Sequence, residues 1–313
     1  MFLIFNAKKK NNPQPKTSKV IMKKSVLFLL VLFFNFTNAS YSSSQENRVL
    51  SSLKEQEKKI ALKILTWNIQ DLGRSKNVNE ITAIAKIIKE HDIIAIQEVV
   101  AKDPAEAQAV AKIVDELNRL GSKWDYSISN PTKSPSSYIS ERYAYIWKTS
   151  KLKLVSKAIL DESLENSIER EPYLAKFEIK KTKTAFYFIN IHARVHGRNP
   201  EMEIANFKEY PQRLKTDNII ILGDFNLNEK HNVWNPLYKM GFKSAIKNTA
   251  TTLKQKCKNG NYMNHAIDNI YYNTHKMNAV NWGVIDFVSD CNNLLKARMI
   301  SDHLPLFLEV TLP

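Results

Sequence analysis

Four apolar runs in this sequence each end on, or begin just after, side chains able to bind a cation or move a proton. Residues 64–70 (ILTWNIQ) carry the amide of Asn68, residues 93–99 (IIAIQEV) the carboxylate of Glu98, and residues 218–228 (NIIILGDFNLN) Asp224 and Asn226. Near the C-terminus Ser301, Asp302 and His303 precede the run 304–310. Oxygen donors gathered at strand ends, with an imidazole beside them, suit a hard divalent cation such as Mg²⁺ and a phosphate group. No cysteine or histidine cluster with zinc spacing competes with this reading. Each residue also has an ordinary explanation: Asn68 as a turn former, Glu98 as a strand-end carboxylate in a surface ion pair, a lone histidine as a satisfied structural side chain. Their joint occurrence at strand ends outweighs those explanations.

Such groups meet only if strands carry them to one edge. Ile219, Ile220, Ile221 and Leu222 form the unbroken run expected of a strand buried on both faces. Gly223 is then the place where the backbone comes close to whatever Asp224 and Asn226 bind. Further strands are expected near 142–148, 173–179, 185–191, 218–223, 267–272 and 304–311. Helices are expected over 79–91, with isoleucines at 81, 84, 87 and 88, and over 103–120, with Gly121 as its stop.

The ordered set TWN (66–68), IQE (96–98), ERY (141–143), NIH (190–192), GDFN (223–226), AID (266–268) and SDH (301–303) resembles the endonuclease/exonuclease/phosphatase superfamily. ERYAYIW, REPYLAKF (170–177) and HAIDNI (265–270) are most similar to its deoxyribonuclease I branch, and the resemblance spans about residues 61–313. It implies an α/β (α+β) fold, a two-layer β-sandwich flanked by helices. It also implies hydrolysis of phosphodiester bonds in nucleic acid, double-stranded DNA foremost, leaving a 5′-phosphate and a 3′-hydroxyl. In that scheme Glu98 is the main metal carboxylate, Asn68 orients metal or phosphate and Asp302 supports them. His192 pairs with Glu141 and His303 with Asp268, while Asp224 and Asn226 position phosphate and metal. A carboxylate beside an imidazole fixes its tautomer and favours its charged form, as proton transfer near neutral pH requires. His303 is chosen for the attacking water and His192 for the leaving oxygen, although residue type alone leaves the order of the two roles open. Arg170 matches a phosphate-contacting position, and Tyr138 is placed to pack on a sugar.

The sequence also departs from the branch. The arginine that should follow the metal glutamate is absent, since Val99, Val100 and Ala101 come next and Lys102 is the nearest cation. Little sequence preference is expected as a result. Arg194 and Arg198, beside His192, offer a replacement phosphate clamp. The branch's calcium loop is rich in Asp and Thr, whereas residues 249–258 (TATTLKQKCK) keep threonines and carry lysines. Mg²⁺ is therefore the expected ion, with Mn²⁺ a substitute and calcium open. A family cysteine just before the Asp268 motif is replaced by His265.

Composition sets the setting. Seven lysines and no acid precede Ala39, with an apolar segment over 26–36 and the small ending Thr37, Asn38, Ala39. This is the pattern of a secretory signal peptide cleaved after Ala39, with Met22 an alternative start. Residues 40–60 form a polar linker. The apolar segment is short of the ~20 residues of a membrane span, so a secreted or periplasmic monomer without stable membrane association is expected. Loss of the seven lysines lowers the formal charge from +15 by seven, to +8. A basic exported protein favours a polyanionic partner, although a genome bias toward Lys, Asn and Ile produces the same excess. Cys257 and Cys291 are the only cysteines, and in an oxidising compartment they form at most one disulfide. A secreted phospholipid phosphodiesterase of the same superfamily, sphingomyelinase-like, is the alternative function. It would want an exposed apolar hairpin, and the tryptophan loops around Trp234 and Trp282 are set among polar residues.

Overall fold

Apolar side chains alternate between two covered faces along most strands, and this alternation builds the molecule. The computed structural model describes residues 62–133 and 140–312. The N-terminal extension, the linker and Tyr138 lie outside the described residues. The first half supplies β1 (Leu62–Leu72), β2 (Ile93–Val100), β3 (Trp124–Ile128), β4 (Glu141–Lys148), β5 (Leu152–Leu154) and β6 (Ile159–Leu160). β7 (Tyr173–Ile179), β8 (Ala185–His192), β9 (Ile219–Asp224), β10 (Phe242–Ser244), β11 (Leu253–Lys258) and β12 (Asn261–Met263) follow. The last three are β13 (Asp268–Asn273), β14 (Asn278–Val284) and β15 (Leu306–Thr311). One six-stranded sheet has the order β14-β15-β1-β2-β4-β3. A seven-stranded sheet runs β10-β13-β9-β8-β7-β5, with β6 also on β7.

Leu62 and Ile64 of β1 and Tyr143, Tyr145 and Trp147 of β4 face Phe186 and Phe188 of β8 and Ile220 and Leu222 of β9 in one core between the sheets. The intervening residues Leu65, Trp67, Ala144 and Ile146 point the other way, onto helices Val78–Ile88 and Gln108–Arg119. Ile219 and Ile221 likewise face a core capped by Phe207, Tyr210 and Trp234. The result is a two-layer sandwich with helical elements outside. Each fully buried Ile or Phe contributes roughly 1.5–3 kcal/mol. Asn77 caps the first helix in a reciprocal box with Glu80, and Gly121, at φ 101°, follows the second.

The pairing decides where polar ends gather. β1 and β2 are parallel, as are β8 and β9. Their C-terminal ends therefore point one way and deliver Asn68, Glu98, His192 and Asp224 together. β4 runs antiparallel to β2 and β13 antiparallel to β9, so the first residues of both, Glu141 and Asp268, start at that same end. The edge strands β3, β10 and β14, the β11–β12 hairpin and helix Leu294–Ile300 go beyond the elements expected from sequence, because their apolar alternation is short or interrupted. A disulfide joins Cys257 of β11 to Cys291, with Cα atoms 5.7 Å apart. Among the described residues no helix is long and apolar enough to cross a membrane.

Candidate active site

Asn68 stands at the centre of the cluster and is fully buried. Its Nδ2 donates to Glu98 Oε1 at 2.9 Å and to Asp224 Oδ2 at 3.1 Å, tying the two sheets together. Its Oδ1 is buried without a hydrogen-bond partner among the described residues. Glu98 has φ 61° at a register shift of β2 against β4, a left-handed conformation that re-aims its carboxylate. Among the described residues Glu98 Oε2 receives only a long 3.4 Å bond from the Asp71 N–H. Burial raises the Glu98 pKa.

Two histidine–carboxylate pairs flank this centre. His192 Nδ1 lies 2.9 Å from Glu141 Oε2, and His303 Nδ1 lies 3.0 Å from Asp268 Oδ2. Both rings aim their Nε2 atoms at one acceptor, Asp224 Oδ2, at 3.6 Å for His192 and 3.8 Å for His303. Burial, and then the Arg170 cation, disfavour protonation of His192, but Glu141 and Asp224 outweigh them and its pKa is raised. Burial also opposes charge on His303, where Asp268 prevails and pushes the pKa up to about 10. Asp224 is held by the Asn226 N–H, 2.9 Å from its Oδ1. Asn226, itself at φ 50°, donates its side-chain amide to the Ala193 carbonyl at 3.0 Å.

Other residues occupy different places from those expected. Gly223, at φ 139°, is required for a neighbouring strand: a Cβ there would sit 2.0 Å from the Ile191 carbonyl oxygen, so its close approach is to β8 and not to a ligand. Arg170 is buried, donating to the carbonyls of His192 at 3.0 Å and Ala193 at 2.8 Å, with Nε 4.0 Å from Glu141. Arg194 is paired with the buried Glu203 at 2.8 Å, which removes it from the suggested clamp. Asp302 is partly exposed, its carboxylate 3.7 Å from Arg298. Trp234 is buried against Tyr271, ring centroids 4.0 Å apart, whereas Trp282 is 53% exposed.

Sequence reasoning missed the supports. The Thr251 hydroxyl donates to Asp268 Oδ2 at 2.6 Å, Tyr143 accepts the His192 N–H at 3.1 Å, and Ser301 accepts the His303 N–H at 3.0 Å while donating to the Asn68 carbonyl at 2.7 Å. Ser301 lies in the SDH motif, Tyr143 in ERY and Thr251 in the threonine-bearing segment 249–258, but nothing local marked any of the three as a support.

Two donor groups are available to a cation. Asp224, Asp268 and His303 each bring a ligand atom within 4.8 Å of the others. There, however, the imidazole already bridges the two carboxylates. The unpaired Asn68 oxygen beside the incompletely satisfied Glu98 is the better fit to a hard divalent ion, which takes oxygen ligands and relieves a buried orphan acceptor.

The model of the Endonuclease/Exonuclease/phosphatase family matches residues 65–303, and the chain belongs to that family. It is 28% identical over 171 residues to "Deoxyribonuclease-1-like 1" of Cricetulus griseus, covering 53% of this chain and 55% of that protein. Against a deoxyribonuclease of Thioalkalivibrio sp. (strain K90mix) it is 26% identical over 264 residues, covering 79% of this chain and 70% of the relative. The chain thus spans little more than half the length of the first of these relatives. In fold it matches an endonuclease/exonuclease/phosphatase family protein from Bacteroides thetaiotaomicron, with TM-score 0.60 at 16% identity over 80% of this chain and 98% of that one.

Proposed function

We propose that this protein is an exported, Mg²⁺-dependent endonuclease that hydrolyses phosphodiester bonds of DNA with little sequence preference and leaves 5′-phosphate ends. The observation that carries the reading is the convergence of two carboxylate-oriented imidazoles on Asp224, next to an unpaired buried oxygen. Asp302, which faces Arg298, would act on the cation only through its charge, while Asn68 and Glu98 would hold it. When bound, it supplies Lewis-acid stabilisation of charge on a phosphate oxygen. Glu141 and Asp268 fix the two rings so that each presents Nε2 to the space above Asp224. His303 takes the proton of the attacking water, and His192 stabilises or protonates the leaving oxygen. Both rings carry raised pKa values, so the one acting as base must first lose its own proton. Asp224 and Asn226 position the phosphate.

Export rests on the N-terminal pattern, with release to the periplasm or medium, and the protein acts as a monomer. A phospholipid substrate is less well supported, since Trp234 is buried and the exposed Trp282 lines a groove with Lys243 and Lys247 rather than an apolar hairpin. The test is nicking of supercoiled plasmid in Mg²⁺ and in EDTA, beside His192→Ala. Metal-dependent nicking lost in the variant is expected. Folded protein that leaves the plasmid intact would sink the reading.

A further inference from the structure

The exposed side chain of Trp282 lies outside the cluster. β14 is the edge of one sheet and β10 the edge of the other, and between them runs a groove of about 420 Å³. Trp282 forms one wall, Lys243, Ser244 and Lys247 the other, with Tyr272 between them and Thr249 also lining it. Trp282 is 53% exposed, while the other tryptophans, Trp67, Trp124, Trp147 and Trp234, are at most 4% exposed. No acid lines the groove, and among the described residues neither lysine pairs with a carboxylate. Glu229, which borders an adjoining hollow behind these lysines, accepts the Asn248 N–H at 3.0 Å.

The register places this groove relative to the site. Tyr272 pairs with Ile220, four residues before Asp224 on β9. Trp282 pairs with Leu308, which pairs with Ile64, four residues before Asn68 on β1. Four extended residues span ~13 Å. β14 also lies two strands aside from β1, roughly 10 Å, and a few nucleotides of an extended strand cover the combined distance. Thr249 marks the upper end, two residues before the Thr251 hydroxyl that holds Asp268.

We infer that this groove binds an unpaired nucleotide of the strand that leaves the candidate active site, its base stacked on Trp282 and its phosphates facing Lys243 and Lys247. A solvent-open indole stacks on any base that is not already stacked in a duplex, and flanking lysines without acid partners match a polyanionic backbone. The chemistry selects single-stranded or frayed segments next to the scissile bond. The inference deepens the nuclease reading and rests on it.

The test uses an octamer of deoxythymidine in EDTA, where binding is read without hydrolysis, by intrinsic tryptophan quenching and by anisotropy of the labelled oligonucleotide. Trp282 is expected to supply the quenching. Trp282→Ala should weaken binding about tenfold and Trp282→Phe, which keeps a stacking face, by less than about threefold. The double change Lys243→Gln, Lys247→Gln should reduce the slope of log affinity against log salt by about 1.4. Binding unchanged in Trp282→Ala, or quenching by anionic phospholipid vesicles and not by the octamer, would overturn the inference. Plasmid nicking run in parallel separates the two readings. Nicking with octamer binding that is indifferent to Trp282 refutes the groove alone, whereas Trp282-dependent binding without nicking refutes the nuclease and leaves a nucleic-acid groove.

Discussion

The pairs Glu141–His192 and Asp268–His303 are built alike and differ in what stands behind each carboxylate. In both, Nδ1 meets the carboxylate at about 3 Å and Nε2 is directed at the same oxygen of Asp224. Behind Glu141 is a cation, Arg170, at 4.0 Å; behind Asp268 is a neutral hydroxyl, Thr251, at 2.6 Å. The cation competes with the proton on His192, and the hydroxyl offers no such competition to His303. Equal geometry therefore rests on unequal supports: both rings are raised in pKa, but only His192 is raised against an opposing cation.

Removing either ring tests the shared geometry most severely. His192→Ala and His303→Ala should each lower nicking by about 10²–10⁴-fold, as expected for a proton-transfer group. If the double variant falls no further than the worse single one, the rings act as a unit. Next in size is the brace on the first pair. Arg170→Met should cost about 3–5 kcal/mol in urea unfolding, because a buried cation beside Glu141 and the donor to the His192 and Ala193 carbonyls are both lost. An unchanged midpoint would show that Arg170 does not support its pair.

Acidity separates the second pair from a histidine elsewhere. His303 has a folded-state pKa raised from 6.5 to about 10, so its stabilisation is fully present below pH 6.5 and is lost as pH rises through about 10. Asp268→Asn should flatten that alkaline loss, because against burial it is the carboxylate that raises the His303 pKa. His91, buried beside Phe307, is lowered by burial to about 4. Its contribution has the opposite sign: stability is lost as pH falls from 6.5 toward 4. Unfolding midpoints for Asp268→Asn and His91→Phe across pH 4–10 would resolve the two windows. The smallest effect is expected at Thr251→Val, about 1.5–3 kcal/mol from a lost bond to a charged acceptor. Its stability should fall with little change in the pH profile of His192.

Much of the frame was legible in the chain. The runs around Ile64, Ile93 and Ile219 are strands covered on both faces, as their unbroken apolarity implies, and isoleucines 81, 84 and 88 face the core of a helix. The edge strand carrying Trp282 and the hairpin after Thr251 were not legible, because short polar strands take their structure from neighbours rather than from their own period.

By itself, the sequence determined the type of the strongly apolar elements, the order of the polar strand ends and the family's set of amides, acids and imidazoles, since periodicity and residue type are local properties. Only the tertiary structure decided that Asp224 Oδ2 is shared by both imidazoles and that, among the described residues, the Asn68 oxygen has no partner. It also decided that Arg170 points inward and that Gly223 serves the Ile191 carbonyl. These contacts join residues distant along the chain, and which side chains meet across two sheets depends on register and packing that no local pattern encodes.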